Sequence, residues 1–232
     1  MGVGTLIHHI GTLLLLVATV LLLVVDVTAP VVNTLSILKV DLGRGVQGTQ
    51  VTFGTFGYCH LNVKDTDSCS NSRIGYDPAS VISDIDDTDF SDAEEATSRA
   101  LTRVMVLHPV ATALCFIAFL LCIATNVVGS IAATFFALLA FVVTIVALIC
   151  DVVAFAIVKR AVNKNGRSTA RWGSAIWLLV AAALCCLFAA LVVFVTCCVK
   201  RSKKRRAAVQ AKEGHTNSAT PKRRFWQRSP RA

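Results

Sequence analysis

The side chains able to do chemistry are few and far apart. Cys59 and Cys69 bracket a mostly polar stretch of nine residues, a spacing that suits a bridge closing a short loop. Asp151 is the one carboxylate inside an apolar run, where a charge is costly and usually functional. It falls about 20 residues beyond Ile131, near a membrane boundary. A hydrated, interfacial carboxylate is therefore the expectation, with a polar pair to His108 as the alternative. Cys197 and Cys198 directly precede Lys200-Arg201-Ser202-Lys203-Lys204-Arg205-Arg206, the setting of S-palmitoylation. The acidic run from Asp84 to Glu95 reads first as a solvated face rather than a calcium loop, whose central glycine it lacks. No catalytic motif, phosphate-cradling loop or zinc spacing occurs, so the chain reads as non-enzymatic, without cofactor or metal.

The elements that must hold these residues are membrane spans. Of 232 residues, 55% are hydrophobic and the mean hydropathy is +0.66. Four apolar runs reach the roughly 20 residues that cross a bilayer: 6–25, 104–128, 131–158 and 172–199. Treating 104–158 as one crossing would need a helix of about 80 Å against a core of about 30 Å. The first run lacks a basic residue before it and is long for a leader's apolar region, so an uncleaved span is expected. Small residues at Ala111, Ala113, Ala118, Ala124, Gly129, Ser130, Ala132 and Ala133 suit close packing of the second and third spans.

Charge sets the orientation. Residues 26–103 carry twelve carboxylates against six Lys and Arg, whereas residues 200–232 carry twelve Lys and Arg against Glu213. The positive-inside rule places that tail, expected to be disordered, in the cytoplasm with the N-terminal residues 1–5. The 26–103 loop then lies outside, where a Cys59–Cys69 bridge persists. The short outer linker 159–171 carries five basic residues and no acid, against the rule. The basic tail is expected on anionic lipid of the inner leaflet. Its Phe225 and Trp226 would also suit nucleic acid, but a membrane-held tail favours lipid or a protein partner.

Within the outer loop, Val51, Phe53 and Thr55 alternate as in a half-buried strand. Gly54 and Gly57 admit a close neighbour. Ala29–Leu42 supplies a second strand, with the turn over Gly43–Thr49. The expected fold is an all-α membrane protein: a four-helix transmembrane bundle carrying a small disulfide-pinned β-sheet in its first outer loop.

The run Phe53-Gly54-Thr55-Phe56-Gly57-Tyr58-Cys59, then Cys69 and Ile74-Gly75-Tyr76, resembles the motif of the fungal PalI family of ambient-pH response regulators, a claudin-like group related to eisosome proteins. Ala29-Pro30-Val31-Val32, Leu107-His108-Pro109 and Trp172-Gly173-Ser174-Ala175-Ile176-Trp177 carry the same likeness, which covers roughly residues 1–200. Where claudins proper have Trp before the first cysteine, this chain has Tyr58. The resemblance implies a plasma-membrane accessory protein that assists a seven-span alkaline-pH sensor. The eisosome branch implies instead an organiser of the membrane or cell wall.

Overall fold

The computed structural model describes residues 3–124 and 127–217. Helices α1 (Val3–Asp26), α4 (Leu107–Ile123), α5 (Val127–Asn165) and α6 (Ser174–Asn217) form the bundle. Between α1 and α4 come strands β1 (Leu38–Asp41), β2 (Gln50–Phe53), β3 (Tyr58–Val63) and β4 (Thr66–Cys69), then helices α2 (Pro78–Asp86) and α3 (Asp92–Val104). Strand β5 (Thr169–Trp172) joins α5 to α6. Among the described residues, four helical stretches are long and apolar enough to cross a bilayer.

The helices pack because each buries a stripe at seven-residue spacing, rich in small residues on α4, α5 and α6. On α5 one buried stripe runs Ala133, Ala137, Ala140, Thr144, Ala147, Asp151, Ala154, Val158. On α6 the stripe runs Ala175, Leu179, Ala182, Cys186, Ala189, Val193, Thr196, with Ile176, Ala183 and Ala190 buried beside it. Steps of four and three alternate in both, as they do through Leu15, Ala18, Leu22 and Val25 and through Ala111, Cys115, Ala118 and Cys122. A repeat of 3.5 residues keeps each stripe facing its neighbours, and alanine lets the backbones approach. Helices α1 and α5 each pack on both α4 and α6. Of the small residues singled out above, Ala111, Ala118 and Ala133 face this seam, whereas Ala113 and Ala124 face outward.

Helix α5 is the mast. Its 39 residues span roughly 58 Å, about twice a hydrocarbon core, so much of it stands clear of the membrane. Phe155, Val158 and Val162 on that projecting part bury the inner face of a five-stranded antiparallel sheet, ordered β4-β3-β2-β1-β5. Phe53, Val51, Leu38, Val40 and Ala170 supply the sheet's side of this second core.

Several boundaries differ from those read in the sequence. The linker 159–171 is not a loop: α5 continues to Asn165, and Thr169–Trp172 pairs antiparallel with β1, Val40 opposite Ala170. The second span, expected over 104–128, starts as helix at Leu107 after a break at Met105 and Val106. Pro109 explains the break, since its missing N–H and its ring stop a helix from running through Met105; His108 N–H donates to Met105 O instead (3.0 Å). The acidic run is not merely a solvated face. Within it Ser91 and Glu94 form a capping box on α3 and Asp86 is buried, while Asp77, ahead of it, caps α2. Finally, the tail expected to be disordered from Lys200 continues α6 to Asn217, consistent with its alanine, lysine, arginine and glutamine content. Phe225, Trp226 and the rest of 218–232 lie outside the described residues.

Candidate functional site

The motif loop is a joint between sheet and bundle. Helix α1 ends with carbonyls that have no partner in their own helix. The Val25 carbonyl accepts from Thr28 Oγ1 (2.9 Å) and from Thr55 Oγ1 (2.8 Å). Thr55 N–H donates to Thr28 Oγ1 (3.0 Å), closing the contact. The chain leaving α1 therefore lies directly on the motif. A Cβ at Gly54 would collide with the backbone of Ala29, and one at Gly57 would meet Ser70 Oγ and the Pro30 ring. Both glycines are needed for approach rather than for turning. Gly54 N–H donates to Gly57 O (2.9 Å), and Phe56 O accepts from Arg73 N–H (2.9 Å).

The motif aromatics fill the gap between joint and mast. Phe53 lies parallel to Tyr76, with ring centroids 6.4 Å apart, and also meets Tyr58 (6.0 Å) and Phe155 (6.1 Å). Tyr76 donates to the Gly54 carbonyl (2.7 Å), and its own carbonyl accepts from Thr102 Oγ1 of α3 (2.6 Å). Burial first, and the nearby Asp151 charge second, hold the Tyr76 phenol well above the usual tyrosine range, so it stays a donor. Ile74 of the motif is largely exposed, and Gly75 takes a left-handed φ of 73° against Arg103.

Cys59 and Cys69 are joined, as a cross-strand pair between β3 and β4. The bridge holds the otherwise exposed β4 on the sheet. At the opposite edge, Asn163 of α5 imitates a strand: Ala170 N–H donates to its Oδ1 (2.7 Å) and its Nδ2 donates to Ala170 O (3.2 Å). This covers one exposed backbone position of β5, a way of blunting an edge.

Beneath the sheet lies a sealed polar pair. His108 Nε2 and Asp151 Oδ2 are 2.9 Å apart, and each side chain is 1% exposed. The hydrated carboxylate expected at Asp151 is thus replaced by a buried one. Its place on the seven-residue seam of α5 turns it inward, toward the first turn of α4. Next to it, Thr112 Oγ1 donates to Asp26 Oδ2 (2.7 Å), tying the end of α1 to α4. His108 Nδ1, Asp151 Oδ1 and Asp26 Oδ1 are buried and find no protein partner. Among the described residues, no group of three or more His, Cys, Asp or Glu is arranged to hold a metal.

Of the remaining candidates, Cys198 is a free, exposed thiol, while the side chain of Cys197 lies outside the described residues. The structure adds Thr28, Thr112, Asp26, Phe155 and Asn163, none of which was singled out. Asp26 and Thr112 had a readable signal, since one ends the first apolar run and the other lies four residues after His108. Asn163 had none, because its role depends on β5, a strand that forms only by pairing with the distant β1.

A model of the SUR7/PalI family matches residues 7–203, from within α1 through the sheet to the membrane part of α6. The chain is 30% identical over 125 residues to the pH-response regulator protein palI/RIM9 of Pyricularia oryzae, covering 54% of this chain and 16% of that protein. It is 33% identical over 105 residues to the pH-response regulator protein palI/prr-5 of Neurospora crassa, covering 45% of this chain and 14% of that one. The match spans less than a fifth of either relative's length.

Proposed function

This chain belongs to the SUR7/PalI family, and from that premise we propose that it is a non-enzymatic accessory protein of an ambient-pH response at the plasma membrane. Two relatives carry the name of pH-response regulator, which supports the pathway. The sheet faces the exterior and both chain ends face the cytoplasm, an orientation supported by the acidic 26–103 loop and the basic tail. The observation that carries the accessory reading is the joint. Thr28, Thr55, Gly54 and the aromatic cluster fasten the sheet to the ends of α1 and α5, so its outer surface is presented at a fixed height and angle above the bilayer. Such a platform suits recognition of a neighbouring membrane protein, here a seven-span sensor, while the basic tail rests on anionic lipid of the inner leaflet and Cys197 and Cys198 are open to palmitoylation.

A family model described jointly as SUR7 and PalI favours one second reading, an eisosome-like organiser of the membrane or cell wall. Deleting the gene separates the two. The accessory reading expects growth failure confined to alkaline medium, and a crosslinked seven-span protein in pull-downs from native membranes. Loss of patchy membrane domains with a normal alkaline response would replace it with the organiser. Transport has weak support, because Asp151 is sealed by His108. Flux through vesicles containing the purified protein, abolished in an Asp151→Asn variant, would revive it.

A further inference from the structure

At the sheet end of the bundle, α5, β5 and α6 enclose an apolar groove of about 250 Å³. Leu148 and Val152 of α5 form one wall, Ile176, Trp177 and Val180 of α6 the other, and Trp172 of β5 closes the top. It differs from the rest of the lipid-facing surface in that roof. Elsewhere the outward residues, such as Phe135 and Phe188, stand on bare helix faces. Trp177 is 67% exposed and Val152 38%, so the groove opens toward the surrounding bilayer.

Its mouth carries a cation. Lys159 lies seven residues beyond Val152 on the same stripe of α5, roughly 10 Å higher. That is about the step from the upper hydrocarbon into the headgroup layer. The Lys159 ammonium sits 5.4 Å from the Trp172 ring centroid, held over the roof of the groove by cation–π attraction. Arg171, on the neighbouring strand position, is paired with Asp41, and Arg167 with Asp87. Among the described residues, no carboxylate forms an ion pair with Lys159.

We propose that this groove is a lipid site selective for an acidic phospholipid: one acyl chain lies between Trp172 and Trp177 against Leu148, Val152, Ile176 and Val180, and the phosphate meets the Lys159 ammonium. A neutral sterol would fill the apolar part and leave the cation unanswered. The site is independent of the pathway role proposed above and rests only on the bundle crossing a bilayer.

Both groove tryptophans report on the site, and the third, Trp226, is removed by Trp226→Phe. The full chain with that change is reconstituted into phosphatidylcholine vesicles. Rising fractions of either phosphatidylglycerol or phosphatidylcholine are then added, with bromine on the acyl chains of the added lipid. Half-maximal quenching is expected at a mole fraction about fivefold lower for the brominated phosphatidylglycerol, the ratio that one lysine near a membrane surface supplies. Lys159→Gln should bring the two curves together, and Lys159→Arg should keep them apart. Coincident curves for the unmodified lysine would overturn the proposal. So would preferential quenching by a brominated sterol, tryptophans that neither lipid quenches, or an anionic preference that survives Lys159→Gln.

Discussion

The half of the bundle away from the sheet and the half beneath it share one seven-residue seam, yet they are held together differently. Deeper in the bundle, three threonine hydroxyls bond within their own helices: Thr19 donates to Leu15 O, Thr144 to Ala140 O and Thr196 to Val193 O. What crosses between helices there is a core of alanine, leucine, valine and cysteine, with Cys115 Sγ 3.6 Å from the Leu15 carbonyl and 3.7 Å from Cys186 Sγ. Beneath the sheet, polar atoms bond across elements. Thr55 reaches α1, Thr112 of α4 reaches Asp26, His108 meets Asp151, Tyr76 reaches Gly54, and Asn163 reaches β5. Any small apolar residue can serve the first kind of packing, whereas the second demands particular residues at particular places. The glycine–aromatic run from Phe53 to Cys59 lies at the second kind of place.

The sharpest way to break the contrast is at the sealed pair. Asp151→Ala leaves His108 buried without its partner and should cost about 3–5 kcal/mol, read as a lower unfolding midpoint in detergent. The double change His108→Leu with Asp151→Leu should recover most of that, since an apolar replacement removes both desolvated groups together. If Asp151→Ala melts like the parent, the pair contributes nothing and the two halves are alike.

Next comes the bridge. Cys59→Ser opens a ten-residue closure and should loosen β4 by about 2–3 kcal/mol in the chain-entropy view. The measurement is protease nicking near Thr66–Cys69, with no change in the helices. Labelling of both thiols by a membrane-impermeant reagent without prior reduction would contradict the bridge itself.

A smaller effect is expected at Tyr76→Phe, which removes the donor to the Gly54 carbonyl and should cost about 1 kcal/mol. Amide exchange at Thr55 and Gly57 should quicken while that of Leu179 and Ala182 stays unchanged. The smallest effect sharpens the other side of the comparison. Ala113→Val on the outward face of α4 should shift stability by no more than about 0.5 kcal/mol, although a neighbour such as Ala111 lies on the seam.

What could be read in the chain beforehand divides along the same line. The four spans were legible because bilayer thickness turns composition directly into length. Cys59, Cys69 and the glycine–aromatic run declared a pinned sheet because those residue types have few other uses side by side. The buried state of Asp151 was also within reach: counting on from Ala133, Ala137, Ala140, Thr144 and Ala147 lands on it, whereas distance from the membrane edge suggested hydration. Strand β5 was not within reach. Thr169-Ala170-Arg171-Trp172 is four residues long, carries a charge, and becomes a strand only because β1, far off in sequence, offers an edge at Val40. The capping box at Ser91 and Glu94 was written plainly in the chain, but the surrounding acids drew the reading toward a solvated face.

The central claim is that the fastening of sheet to bundle carries the biological role while the far half is an interchangeable anchor. It is tested most directly by growth at alkaline pH of cells lacking their own copy of the gene and expressing either Gly54→Ala or Ala137→Val, at matched surface levels. The first places a Cβ against the Ala29 backbone at the joint, and the second crowds the far seam. Failure of the Gly54→Ala cells alone is the expected result; equal growth of both, or failure of the Ala137→Val cells alone, would contradict it.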